Sequence, residues 1–221
     1  MSIKLFITGT DTHIGKTYTS VGLLRLFNNH GYSTLGIKPV ATGIMNNSNR
    51  FNEDVIALHK NSSVKLDYHL INAFTFQTPI APHLAAQQEK INLSTATIID
   101  KISVALNHPA QIKIIEGVGG WHVPLNETEM MEELVRILAL DVILVVGVRL
   151  GCLNHTLLSA QAMQTSGVKL VGWVANCIDP SMTFQQENID TLKKRLTAPC
   201  LGIIPYCEEP EHYLTIEKLQ L

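Results

Sequence analysis

The sequence lacks an apolar run long enough to cross a bilayer. Its longest, Val142 to Val148 with Gly147 inside it, falls far short of the ~20 residues that a spanning helix needs, so no membrane role is expected. The N-terminus has no cleavable signal pattern and enters apolar residues directly, so a cytoplasmic protein is expected. There is no C-x-x-C pair. Cys152, Cys177, Cys200 and Cys207 form no ligand-spaced cluster either, and the expectation is free buried thiols in a reducing compartment. None of the nine histidines belongs to an H-E-x-x-H zinc motif. Charge is scarce as well. Charged residues make up 16%, no Lys/Arg cluster occurs, and the formal net charge is -2, which argues against nucleic acid as the main partner. With 46% apolar residues the chain can build a sizeable core, and disorder is not expected. Its 221 residues suffice for one large α/β domain and are few for two. No repeat, linker or compositional break divides it, so 1–221 reads as one domain.

What is present is an alternation of strand-like and helix-like segments. Leu5-Phe6-Ile7 reads as a short buried strand. Tyr18 to Phe27 carries apolar residues at helical spacing, and this helix should end near Gly31, a residue suited to a C-terminal cap. Thr34 to Val40 is an apolar strand, and Asn46 to Arg50 a polar loop. Glu53-Asp54 opens a short helix through Val55, Ile56 and Leu58. The stretch from Asn61 to Pro82 is the least regular, broken by Pro79 and Pro82, and Pro82 suits a helix start. Thr95 to Asn107 reads as one helix, Ile112 to Ile115 as a strand, and Met130 to Leu140 as a helix. Val142 to Val146 is the most strand-like run, and its continuous apolarity fits a central parallel strand covered on both faces. A helix carrying Leu157, Leu158 and Met163, a strand from Lys169 to Ala175, a helix from Glu187 to Leu196 and a strand from Cys200 to Ile204 follow. The acidic tail Glu208 to Glu211 reads as a solvated loop. The alternation gives an α/β fold: a mostly parallel β-sheet with helices on both faces, in three layers.

One stretch organises the rest. Gly9-Thr10-Asp11-Thr12-His13-Ile14-Gly15-Lys16-Thr17 lies between the first strand and the first helix. Strand, glycine-bearing loop and helix are the context a phosphate-binding loop needs. Its glycines let backbone approach an anion, and the first helical amides point at it with the positive end of the dipole. Lys16 would reach the terminal phosphates, and the Thr17 hydroxyl would ligate Mg2+. Thr10 stands where the usual loop has its first glycine. The alternative is an ordinary strand-to-helix turn with a capping threonine.

Three further residues bear on the same chemistry. Lys38 lies near the carboxyl end of its strand, where open α/β sheets bind ligands; otherwise it is a lysine at a sheet edge with its amine in water. Asp54 lies in a first helical turn, where an acidic residue is usually dipole complementation, so taken alone it says little. Glu116 ends the strand Ile112 to Ile115 and is followed by Gly117-Val118-Gly119-Gly120-Trp121. An acidic residue at a strand end serves as the second metal-side carboxylate in phosphate-loop enzymes, and the glycines let backbone pass close to a ligand. The alternative there is a glycine-rich turn with an exposed Glu.

Five motifs in order, Gly9 to Thr17, Gly36 to Gly43, Glu116 to Trp121, Val146 to His155 and Gly172 to Asn176, closely resemble the dethiobiotin synthetase family. The resemblance runs from Ile3 to about Pro210, and Thr10 in the loop is the family's own form. It implies a phosphate-loop NTPase fold and an ATP-dependent cyclo-ligase of biotin biosynthesis. That ligase closes the urea ring of dethiobiotin from 7,8-diaminononanoate, CO2 and ATP, releasing ADP and phosphate. It implies that Lys16 and Lys38 are catalytic and that Thr17, Asp54 and Glu116 hold Mg2+. The nucleotide would lie against His13, Ile14, Gly15, Lys16, Thr17, Tyr18, Asp54, Glu116, Gly117, Val118 and Gly119. Asn176, with Cys177 beside it, would read adenine, and Pro205, Tyr206, Cys207 and Glu211 would line the nucleotide from the C-terminal segment. Thr12, Thr42, Leu150, Gly151 and Asn154 would bind the diamine, with Leu150 to Asn154 delivered from the other subunit of a homodimer. Two other classes share the fold. Nucleotide-switch ATPases of the partitioning type often carry a signature lysine five residues before the phosphate lysine, and Asp11 stands there instead. A glutamine-dependent amidoligase would need an added glutaminase domain with a Cys nucleophile, for which this chain has no room.

Overall fold

The computed structural model describes residues 2–44 and 51–219. The polar loop expected at Asn46 to Arg50 lies outside the described residues. A six-stranded sheet carries the fold, ordered β2-β5-β1-β6-β7-β8. Its strands are β1 (Ile3–Gly9), β2 (Thr34–Ile37), β5 (Ile112–Glu116), β6 (Asp141–Gly147), β7 (Leu170–Asn176) and β8 (Cys200–Ile204). Every pairing in it is parallel.

Alternating side chains on the central strands feed two cores. Leu5 and Ile7 of β1 and Ile143 and Val145 of β6 pack with Leu23, Leu24 and Phe27 of α1 (Lys16–Asn29) and Leu58 of α2 (Glu53–Asn61). Phe6 and Val142, Leu144 and Val146 face the other way. They join Ile98 of α5 (Thr95–Lys101), Leu134 of α7 (Met131–Ile137), Met163 of α8 (Cys152–Thr165) and Leu192 of α9 (Gln185–Arg195). Each such side chain contributes about 1.5–3 kcal/mol when taken out of water. The three-layer arrangement and the central place of Val142 to Val146 are as the sequence implies. Gly31 follows α1 with φ +81°, and its N–H donates to the Asn28 carbonyl at 2.9 Å, a left-handed C-terminal cap.

The segment Thr34 to Val40 is not one strand. Pro39 has no N–H for a ladder, and the Lys38 N–H donates to the Ile71 carbonyl at 2.9 Å. Beyond it β3 (Val40–Thr42) leaves the main sheet and pairs in parallel with β4 (Phe74–Phe76). That second strand, with α3 (Tyr68–Ile71), lies inside the stretch that looked irregular, and α4 (Pro82–Gln88) starts at Pro82 as expected. The helix expected over Thr95 to Asn107 breaks at Ile102 (φ -98°, ψ 8°), so α6 (Ser103–Asn107) is separate. The β-branched run Thr95-Ala96-Thr97-Ile98-Ile99 has weak helix propensity.

The acidic tail is not simply solvated. Arg25 pairs with Glu209 at 2.7 Å and Glu211 at 3.0 Å, and the Tyr18 hydroxyl donates to the Glu208 carbonyl. Gly22 makes room for the tail, since a Cβ there would lie 2.7 Å from the Pro210 Cβ. The thiols are free, but only Cys152 and Cys177 are buried, while Cys200 is half-buried and Cys207 exposed. Among the described residues no helix is long and apolar enough to cross a membrane.

Candidate active site

The site forms where β1, β2, β5 and β7 end, at the carboxyl edge of the sheet. Gly15 precedes α1 at φ +85°, and a Cβ there would meet the Asn176 Nδ2 at 2.1 Å, so only glycine fits. That Nδ2 donates to the Ile14 carbonyl at 2.8 Å; the last residue of β7 thus supports the loop from below. Lys16 is 8% exposed, and its Nζ donates to the Asp11 carbonyl at 2.8 Å. Burial, helped by the nearby Lys38 charge, lowers its pKa to about 8.

Lys38 is 2% exposed, although β2 is an edge strand. Its backbone is held on both sides, by the Ile71 carbonyl at its N–H and by the Asn72 Nδ2 at its carbonyl, 2.7 Å. The Nζ donates to Glu116 Oε1 at 2.6 Å and to the Gly117 carbonyl at 2.9 Å, and pairs with Asp54 Oδ2 at 3.0 Å. Burial alone would depress this ammonium, but Glu116 and Asp54 together hold it above the ordinary lysine range. Burial likewise works to raise the Asp54 pKa, yet Lys38 and the Thr17 side chain hold it below the ordinary carboxylate range. Asp54 is placed by Asn52, whose Oδ1 accepts its N–H at 2.9 Å and whose Nδ2 donates to the Gly43 carbonyl at 2.6 Å. That contact ties the start of α2 to the end of β3.

Glu116 is fully buried, so it is not the exposed glutamate of a mere glycine-rich turn. Its Oε1 accepts from Lys38 and from the Thr17 hydroxyl, at 2.7 Å. Its Oε2 is buried and has no hydrogen-bond partner, an arrangement that costs free energy until a donor or cation meets it. Thr17, Asp54 and Glu116 therefore bring hard oxygens together, the donor set that suits Mg2+. Among the described residues no three His, Cys, Asp or Glu gather into a metal cluster. The three oxygens fit a cation that completes its shell with water and phosphate.

A cleft of ≈ 850 Å³ opens over these groups. Thr12, His13, Gly15, Lys16, Thr17, Lys38, Thr42, Asp54, Val118 and Gly119 line it. Pro79, Ile80, Ala81 and Pro82 form a wall that sequence reasoning missed, as do His122, Val123 and Pro124. The two prolines that break the irregular stretch were the available signal. Ile14 is buried beneath the loop, and Gly117 follows Glu116 with room only for hydrogen, its Cβ position lying 2.7 Å from Phe6 Cζ. Tyr18 and Glu211 lie with the C-terminal segment: Glu211 Oε1 holds Arg25 while its Oε2 is buried without a partner. Pro205, Tyr206 and Cys207 follow β8, the last two exposed, and Cys177 is buried after β7. Leu150, Gly151 and Asn154 are not among the residues lining this cleft. Leu150 is 92% exposed at the turn before α8, where Gly151 has φ +95°.

A glycine-bearing loop between a parallel strand and a helix, a buried lysine on it, and carboxylates at a neighbouring strand end (Glu116) and a helix start (Asp54) define a phosphate-loop NTPase. The fold is similar to chloroplast FtsY from Physcomitrella patens, with TM-score 0.62 and 15% identity, over 99% of this chain and 63% of that one. It is also similar to the septum site-determining protein MinD from Pyrococcus horikoshii, with TM-score 0.55 and 13% identity, over 93% of this chain and 82% of that one. These likenesses are of fold alone. A family model described as an AAA domain matches residues 4–212. Relatives named ATP-dependent dethiobiotin synthetase BioD are 47% identical in Pseudomonas aeruginosa, over 92% of this chain and 90% of the relative, and 45% identical in Cellvibrio japonicus, over 90% and 88%. The relative named ATP-dependent dethiobiotin synthetase BioD 1, from Escherichia coli, is 41% identical over 100% of this chain and 99% of its own. The chain belongs to the ATP-dependent dethiobiotin synthetase family, and the AAA-domain match spans the same stretch.

Proposed function

We propose that this cleft closes the urea ring of dethiobiotin from 7,8-diaminononanoate, CO2 and ATP. The observation that carries the residue roles is the buried Lys38 ammonium, held between Asp54 and Glu116 beside Lys16 and Thr17. One amine of the substrate takes up CO2 as a carbamate. A carbamate oxygen is a poor leaving group, so it attacks the γ-phosphorus, ADP departs, and a carbamic-phosphoric anhydride forms. The second amine then attacks the carbonyl carbon, loses a proton, and expels phosphate. The first of these steps forces two anions together, and fixed cations in a dry site offset that repulsion. Lys16 and Lys38 supply them.

The amides at the start of α1 hold the phosphates. Lys16 exchanges the Asp11 carbonyl for them. Thr12 and Thr42, which line the cleft, contact the diamine. Thr17, Asp54 and the unpartnered Glu116 Oε2 would hold Mg2+, which would supply positive charge to offset that of the phosphates. Asn176 keeps its Nδ2 on the loop and offers Oδ1 to the adenine amino group. Tyr206, Cys207 and Glu211 border the nucleotide from the C-terminal side. The protein acts as a homodimer: the exposed Leu150 and the start of α8 serve the diamine carboxylate in the partner's cleft rather than their own.

Phosphate release is the test, with purified protein, MgATP, bicarbonate and the diamine, each omitted in turn. Release should require all of them. Equal release without diamine or bicarbonate would instead fit a nucleotide-switch ATPase.

A further inference from the structure

Asp11 stands between two parts of the molecule that the reaction uses. Its backbone carbonyl accepts from Lys16 Nζ at 2.8 Å. Its carboxylate faces elsewhere: Oδ1 accepts the Thr12 N–H at 2.7 Å, and Oδ2 accepts from the Arg149 guanidinium. Arg149 opens the turn into α8, and its carbonyl accepts the Cys152 N–H at 3.0 Å. The loop is also tied to the end of β6 by the Thr10 N–H on the Val145 carbonyl at 3.0 Å and the Gly147 N–H on Thr10 Oγ1 at 3.4 Å. The phosphate loop is thus held to the end of β6, and the Asp11–Arg149 ion pair is its tie to the Arg149 to Gly151 turn. That pair is poorly placed to stabilise the fold. Its side chains are 43% and 42% exposed, and pairs so exposed contribute little to folding.

We infer that Asp11 and Arg149 are positioning residues that link the nucleotide loop of one subunit to the substrate turn it presents to the other. The inference rests on the homodimer reading above. A link needs a contact that differs between two states, and Lys16 provides it. When phosphates arrive, Lys16 Nζ turns to them and leaves the Asp11 carbonyl. The Asp11 peptide, released from its cation, re-aims, and its carboxylate carries the change to Arg149 and the α8 turn. ATP in one cleft is then felt by the diamine in the other.

Calorimetry tests this by titrating the diamine with and without a non-hydrolysable ATP analogue and Mg2+. In the wild type the analogue should tighten diamine binding about two- to fivefold, the range that one half-exposed ion pair can supply. Added salt should shrink that gain by screening the pair. Arg149→Met should erase the gain while leaving analogue affinity within about twofold, and Arg149→Lys should retain part of it. Asp11→Asn keeps the acceptor for the Thr12 N–H and gives the same readout should Arg149→Met fold poorly. A wild type without the gain, or an Arg149→Met protein that keeps all of it, overturns the link. Sedimentation of the same samples separates the premises: a monomeric wild type overturns the homodimer reading, whereas a dimer with undiminished coupling in the variant overturns the link alone.

Discussion

Lys16 and Lys38 lie near the same two carboxylates, yet their charges are set in opposite directions. Lys38 has Glu116 and Asp54 in direct contact and is held up. Lys16 has only a carbonyl, and burial brings it down to about 8. A lysine depressed in the folded state costs stability fully below that value, and the cost fades as pH rises from there to the unfolded value. Lys16→Met should therefore stabilise the nucleotide-free protein by about 2 kcal/mol near neutral pH, with the gain shrinking in more alkaline buffer, while turnover nearly vanishes. Thermal melts across pH decide this; a gain flat with pH would contradict it. Lys38→Leu acts oppositely. It leaves Glu116 buried without its cation, and breaking a buried pair costs about 3–5 kcal/mol. The variant should melt early without Mg2+ and recover in part when Mg2+ is added. It should bind ATP nearly normally and turn over about 100- to 1,000-fold more slowly. Lost ATP affinity with an unchanged single-turnover rate would remove Lys38 from the chemical step.

At the scale of elements, α1 serves two ends of the chain. Its first amides face the phosphate loop, and Gly22 and Arg25 hold the C-terminal segment. Gly22→Ala should gain up to about 1 kcal/mol of helix propensity but push its methyl into Pro210. We expect a net loss in Tm and faster proteolysis between Glu208 and Tyr213. A higher Tm with the tail still protected would refute the packing account. Elements with local signals were legible in the sequence: Leu5 to Ile7, Val142 to Val146 and the α1 cap at Gly31 follow from apolarity and one glycine. The β2–β3 break was not, because it depends on β4, a partner more than thirty residues away that is too short to show a period. The site divides the same way. Lys16 and Thr17 could be found because they follow a glycine-bearing loop at a helix start, and Glu116 because it ends a strand. Asn52 and Pro79 to Pro82 reach the cleft only through tertiary placement. Lys38 was ambiguous because an edge strand says water, and only the Ile71-Asn72 clamp makes it buried.

At the scale of the whole molecule, the cleft of one chain holds the phosphate machinery but not the α8 turn. Asn154→Ala should raise the diamine KM more than it changes ATP affinity. Mixed with Lys16→Ala protein under verified subunit exchange, it should regain activity, because one hybrid cleft then has both intact parts. No regain would mean that each subunit works alone. The sheet order has a further consequence, for the birth of the protein. Strand β1 is made before both its neighbours yet belongs in the middle of the sheet, between β5 and β6, which begin only at Ile112 and Asp141. Those partners do not exist while residues 10–111 are being made, and contacts so distant in sequence form slowly. Leu23, Leu24 and Phe27 must wait for Ile143 and Val145 to complete their cover, a span in which a nascent chain depends on chaperones. ATP cannot shorten that wait, because the floor beneath its loop is finished only when Asn176 has emerged.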